Sequence, residues 1–295
     1  MPLYEPVTTT VSPAQNDFRL TGVTATPVMT ANSTTLSTIF LTPYIGATIA
    51  LYNGASWDLL TSVEVSLAVT GRTTDLLFDI FGYNNAGVVT LEFLNWTNST
   101  TRATGLTRQD GVWCQTGDLT RRYLGTCRPR SATTYHWVLD GIDAPAKMDL
   151  WNAGNRVLAP FRCIATTDSW NYTTATWRQA QASTNYQVDV VAGLQEEALD
   201  ATLLVSVANA LTTSSVEVEV GLGYDSTTAP SGIFGSFSVG SGYLRTVTGM
   251  FTKLIGIGRH FVAWLEISST NSQTTWYGDN GAARLQSGIS GTWSC

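Results

Sequence analysis

The chain has 295 residues, a hydrophobic fraction of 43% and only 13% charged residues, against roughly 25% in an average globular chain. Its length exceeds one ordinary domain and its apolar content fills ordinary cores, so two domains are expected. A net charge of −6 with two lysines and no basic run gives no electrostatic footprint for nucleic acid. The densest basic group, Arg121, Arg122, Arg128 and Arg130, reads as strand-end or interface arginines.

The surface must therefore be covered largely by Thr, Ser, Asn and Gly, a composition that suits exposed β-structure. No basic and apolar leader opens the chain, and no apolar run approaches the roughly 20 residues of a membrane helix. The expectation is a soluble protein made in a cytoplasm, with no membrane insertion.

Residues 1–35, with Pro2, Pro6, Pro13 and Pro27 among Thr and Ser, read as an extended N-terminal arm that can lie across a neighbouring subunit. Residues 36–128 follow as short strands between turn signals, the first antiparallel β-sandwich. Asn53-Gly54 marks a hairpin turn, and Val63, Val65, Leu67 and Val69 alternate onto one face. LFDIFGYNNAGVVTLEF, residues 77–93, reads as two strands around a four-residue Asn-Asn-Ala-Gly loop, with Asp79 and Glu92 toward solvent.

Residues 129–160 break the rhythm. Pro145 near the start of residues 143–152 suggests a short helix in a connector, with Trp137 and Trp151 packed against both neighbours. Residues 161–295 return to strands. Val216, Val218, Val220 and Leu222 point inward and Glu217 and Glu219 outward, and Phe261, Ala263, Leu265 and Ile267 share a face. The second unit reads as a jelly-roll-like antiparallel sandwich, so the fold class is all-β.

Chemistry-bearing groups are sparse. His136 and His260 stand without a nucleophile motif and read as structural. Glu196, Glu197 and Asp200 could supply a carboxylate pair for glycoside hydrolysis, and Asp225 with Asp279 and Asn280 a cation site, but each group reads first as solvated turn carboxylates. Cys114, Cys127, Cys163 and Cys295 lack zinc-site spacing and read as free thiols, with pairing of Cys114 and Cys127 left open. No cofactor or metal is expected. The ten tryptophans are the stronger signal, because an indole face stacks on sugar rings as readily as it packs in a core.

The motifs LYNGASW (51–57), NWTNSTTRAT (95–104), QDGV (109–112) and GDLTRRYLGT (117–126), with the 77–93 hairpin, resemble virion structural proteins of tailed bacteriophages and gene-transfer particles. Trp151-Asn152 with Asn155-Arg156-Val157, TTDSWNYTTATWRQA (166–180) and WYGDN (276–280) extend the likeness over about residues 15–285. The resemblance implies a non-enzymatic fibre, spike or decoration protein on the virion surface, assembled in the host cytoplasm. It also implies an oligomer, with a trimer favoured. Contact with other virion proteins through the arm and attachment to a host-surface glycan follow as expectations, with Trp170, Tyr172, Trp177, Trp276 and Tyr277 as candidate glycan-binding residues. A purely structural decoration or connector protein is the alternative, and a glycan-degrading enzyme the third reading.

Overall fold

The computed structural model describes residues 11–209, 216–239, 243–269, 273–281 and 285–295. The protein is all-β. Among these residues the helical content is a single 3-10 turn, Ala180–Ala182.

The first half builds a three-stranded sheet from Phe18–Thr21, Thr38–Pro43 and Val65–Ala68, and a larger sheet around the paired strands Phe78–Asn85 and Asp118–Cys127. The hairpin Thr48–Tyr52 with Trp57–Thr61 packs beside them. The second half is two facing sheets. One centres on Gln187–Ala192 and Gly258–Ile267, the other on Ala198–Asn209 and Gly288–Ser294. Between them Val218, Val220, Leu222 and Trp264 meet Leu203, Val205, Phe251, Ile289 and Trp293, all buried. The inward face expected of the 216–224 strand is seen at Val218, Val220 and Leu222.

Period-two patterning explains most of this. Gly258–Ile267 is buried on both faces because Ala263 and Leu265 are covered as fully as Val262 and Trp264. Val63 departs from its expected face. The strand begins at Val65, and Val63 is 81% exposed.

Two expected pieces take a different form. The described part of the arm is a core element: Phe18–Thr21 is buried at every position and pairs with Thr38–Pro43, and Ser33–Leu36 pairs with Tyr135–Val138. The proline spacing concealed a four-residue buried strand, Phe-Arg-Leu-Thr, between turns. Residues 1–10 lie outside the described residues. The connector helix is absent. Ala146–Met148 runs parallel to Gln187–Ala192, and Leu150–Asn152 runs antiparallel to Asp118–Cys127. Ala146, Met148 and Leu150 recur at period two and are buried, and that burial outweighs the helix-start signal of Pro145. Asp140–Ile142 also pairs in parallel with Leu158–Ile164, so the sheets are mixed.

The 77–93 hairpin is tighter than expected. Asn85 pairs with Val88, so the turn has two residues, Ala86 and Gly87, both at positive φ (50° and 88°). The Gly87 N–H donates to Asn84 Oδ1 at 2.7 Å. Asp79 is buried rather than solvent-facing. Arg102 Nε donates to it at 2.6 Å and Thr126 at 2.7 Å. Glu92 lies at the surface, paired with Arg121 at 2.6 Å.

The halves are joined by a charged cluster. Asp189, nearly buried, accepts from Arg259 at 2.5 Å, Arg130 at 3.1 Å and Arg128 at 3.4 Å. Arg128 also meets Asp75, and Arg130 grips Asp149 with Nε at 2.7 Å and Nη2 at 2.6 Å. Trp151 is fully buried and stacks on Tyr123 at 6.4 Å, with Gly193 so close that any side chain there would strike Trp151 and the Tyr123 hydroxyl.

Candidate functional site

The strand Ser169–Tyr172 pairs with Thr274–Tyr277 in register Trp170 to Trp276 and Ser169 to Tyr277. Opposed residues share a face, so Trp170, Tyr172 and Trp276 look into the sandwich while Tyr277 points the other way. Trp276 is fully buried and unavailable for stacking on a sugar. Trp170 is half-buried and engaged. Its Nε1 donates to Glu266 Oε2 at 2.8 Å, and its ring stacks on Tyr186 and meets Trp264 edge-on. Tyr172 lies half-buried under the Arg178 guanidinium at 3.7 Å, and its hydroxyl donates to Thr176 O. Trp177 stands edge-on to Phe234 at 5.8 Å, over the outer face at Gly221. The five aromatics therefore form no single platform. Trp170 and Tyr172 belong to one cluster, and Trp177 and Tyr277 lie apart from it.

That cluster surrounds Glu266, which is fully buried and which sequence reading passed over as one position in a strand. Arg178 reaches it at 2.7 Å and the Gln181 N–H at 3.3 Å. Burial pushes the Glu266 carboxyl up, against the opposing pull of the Trp170 hydrogen bond and Arg178.

The remaining candidates are dispersed. His260 Nδ1 lies 2.7 Å from the Tyr224 hydroxyl and 2.8 Å from Asp225, while Nε2 faces the Gly256 carbonyl at 3.0 Å. That carbonyl can only accept, so Nε2 carries a proton, and the residue ties the 224–226 turn to its strand. His136 is half-buried beside Lys147, 3.5 Å from its Nζ, and burial pulls its pKa down. Asp225 is spent on His260 and the Phe261 N–H, whereas Asp279 and Asp168 hold the Gly281 N–H. Among the described residues no cluster of three or more His, Cys, Asp or Glu could hold a metal ion. Glu196 and Glu197 both meet Arg156, at 3.1 and 3.3 Å, and Asp200 lies on an exposed sheet face. All four cysteines are free and buried, so Cys114 and Cys127 are unpaired.

The concave feature of the first half was not legible in sequence. A cavity of about 350 Å³ is lined by Asn16, Arg108, Trp113, Arg122, Asn155 and Glu196 among others, drawn from five chain segments. The tight turn Asp110-Gly111 at positive φ (48° and 87°) brings Arg108 and Trp113 together across neighbouring strands. The Arg108 guanidinium lies over the indole at 4.2 Å. Alternation along Asp118–Cys127 sends Arg121 outward to Glu92 and Arg122 inward to the cavity. The Arg-Arg doublet was the available signal, but only the strand's register says which arginine is buried.

No protein-family model and no curated protein matches the chain. Among solved structures it is similar to that of the infectious bursal disease virus Gt strain, at 9% identity and a TM-score of 0.29, covering 88% of this chain and 64% of that one. The infectious bursal disease virus VP2 subviral particle gives 10% and 0.28, with 89% and 73% covered. A glycoside hydrolase family 43 arabinoxylan arabinofuranohydrolase from Bacillus subtilis gives 11% and 0.22, with 81% and 63% covered. The chain thus spans less than two thirds of the length of the first and third of these. Scores at this level carry no argument about function.

Proposed function

We propose that the chain is a structural protein of a virus particle that packs against further copies of itself. The observation that carries this reading is an open sheet face in the second half. Leu158, Leu204, Met250 and Leu254 project from it, and Ile233, bridged to Met250, adjoins them; each is more than two-fifths exposed. Thr202, Thr248, Thr252 and Ser290 lie among them. Asp200, opposite Thr252, shares the face, and exposed apolar side chains set among such polar groups suit burial against a partner surface.

In its finer form the proposal follows the tailed-phage resemblance. The chain is then a fibre or spike subunit, a trimer on the virion surface, touching other virion proteins through its N-terminal segment. It binds a host-surface glycan through Trp170, Tyr172, Trp177 and Tyr277. The burial of Trp276 and the engagement of Trp170 favour the second reading, a decoration protein whose aromatics are structural.

Sedimentation of the purified protein tests the central claim. The wild type is expected to self-associate and Ile233→Glu with Met250→Glu to sediment as a monomer with unchanged circular dichroism. A wild type that stays monomeric at every attainable concentration overturns it. A glycan array then separates attachment from decoration.

A further inference from the structure

The cavity beside the 106–115 hairpin has a buried cation in its wall. Arg122 is 7% exposed, yet among the described residues its guanidinium meets no carboxylate. Nη1 donates to the carbonyls of Pro13, Gln15 and Ala50 at 2.9, 2.9 and 2.8 Å, and Nη2 to Ala14 at 3.3 Å. These contacts fix the head in place without cancelling its charge. Arg128, which is buried, and Arg102 and Arg130, which are largely covered, face aspartates, whereas Arg19, 4% exposed, is held like Arg122 by backbone carbonyls, those of Pro27, Asn155 and Cys295. Burial pulls the Arg122 pKa down to about 10, so the group stays cationic at neutral pH and its desolvation is left without a counter-charge.

The rest of the lining complements that charge. Arg108 stands at the rim, half exposed, as a second cation whose Nη1 donates to the Gly111 carbonyl at 2.5 Å. Glu196, the acid in the wall, already meets Arg156 at 3.1 Å and Arg108 at 3.9 Å. Half-buried Trp113 offers an apolar flank under the Arg108 guanidinium. The volume of about 350 Å³ exceeds what a bare anion fills and is in the range of small-molecule sites. A buried guanidinium, a second one at the rim and an indole suit a ring that carries a carboxylate.

We propose that this cavity binds an acidic sugar, with Arg122 anchoring the carboxylate, Arg108 meeting it from the rim and Trp113 flanking the ring. The site is separate from the Trp170 cluster, and the inference stands independently of the self-association reading.

The test is 19F NMR of protein labelled with 5-fluorotryptophan, the Trp113 resonance being assigned by Trp113→Phe. Glucuronate, glucose and acetate are titrated separately. Glucuronate is expected to shift Trp113 with a Kd of order 1 mM, and glucose and acetate to bind at least about tenfold more weakly. Arg122→Gln removes both the anchor and the staple of residues 13–15, so Arg108→Gln is the informative variant. It should weaken glucuronate about tenfold with an unchanged melting temperature. The proposal is overturned by no Trp113 shift at ~50 mM glucuronate, where a site of millimolar Kd is saturated. Equal affinity for acetate or glucose, or an Arg108→Gln variant that binds like the wild type, overturns it too. A shift at Trp170 or Trp177 instead of Trp113 overturns this site while supporting attachment through the other cluster.

Discussion

Replacing Asp189 by Asn leaves the volume of the site unchanged and removes the charge that three arginines share. The loss is not equal for the three. Arg128 keeps Asp75 at 2.7 Å and Arg130 keeps Asp149 at 2.6 Å, but among the described residues Asp189 is the carboxylate that Arg259 meets, and the Arg259 Nε is already buried without a partner there. Breaking a buried ion pair from one side costs about 3–5 kcal/mol. The two retained partners, and the oxygen that Asn still offers, place the expected loss near the lower end, about 3 kcal/mol. Asp75→Asn is the control, since its side chain is 56% exposed, and it should cost at most about 1 kcal/mol.

Urea unfolding followed by circular dichroism reads both variants. Burial alone would raise the Asp189 carboxyl, but Arg259, Arg130 and Arg128 more than offset this and hold it below its ordinary value. A lowered folded pKa means that the contribution is complete above the unfolded value, about 4, and is lost as pH falls through the folded one. The stability gap between wild type and Asp189→Asn should therefore be flat from pH 7 to about 5 and shrink below about 4. A variant within about 1 kcal/mol of wild type at pH 7, or a gap that grows on acidification, would refute the reasoning.

Glu266→Gln should cost no more than about 1 kcal/mol by the same assay, because it keeps an acceptor for Trp170 and sheds a charge that burial disfavours. Glu266→Leu, which strands the indole N–H, should cost about 1–3 kcal/mol, and a reversed order would contradict the geometry. Calorimetry should show one unfolding transition, since Ser33–Leu36 and Ala146–Met148 share a sheet with Gly258–Ile267 and the Asp189 cluster crosses the halves. Two separated endotherms would show that the halves unfold independently. The thiols should resist a disulfide reagent in the native state and all four should react in urea. Burial raises Cys114 to about 11 and Cys163 and Cys295 to about 12, which keeps them protonated and inaccessible.

Local chemistry was legible wherever burial follows a simple period. The alternation of Val218, Val220 and Leu222, the strand containing Phe261 and Leu265, and the presence of a turn before Val88, though not its two-residue length, are legible in this way, because side-chain direction in a strand depends only on position. The helix expected near Pro145 and the free arm expected before Leu36 were misread for one reason. Ala146–Met148 and Phe18–Thr21 are three- and four-residue strands, whose brief alternation competes with proline signals and is ordered only by partners distant in sequence. The glycan residues divide in the same way. Their aromatic character was plain, but Trp276 is buried and Tyr277 turned outward by a register that only the pairing with Ser169–Tyr172 and Ala198–Asn209 sets.

Sequence by itself determined the class of this protein: an all-β chain, poor in charge. Composition and two-residue periodicity are local properties and need no partner to be read. Tertiary structure decided where its few charges went. Asp79, Asp189 and Glu266 look like ordinary polar positions in strands, and Arg122 looks like half of a surface doublet. Each is buried because strands distant in sequence close over it. Whether a buried charge meets a counter-ion, as Asp189 does, or a cavity, as Arg122 does, depends on which strands those are.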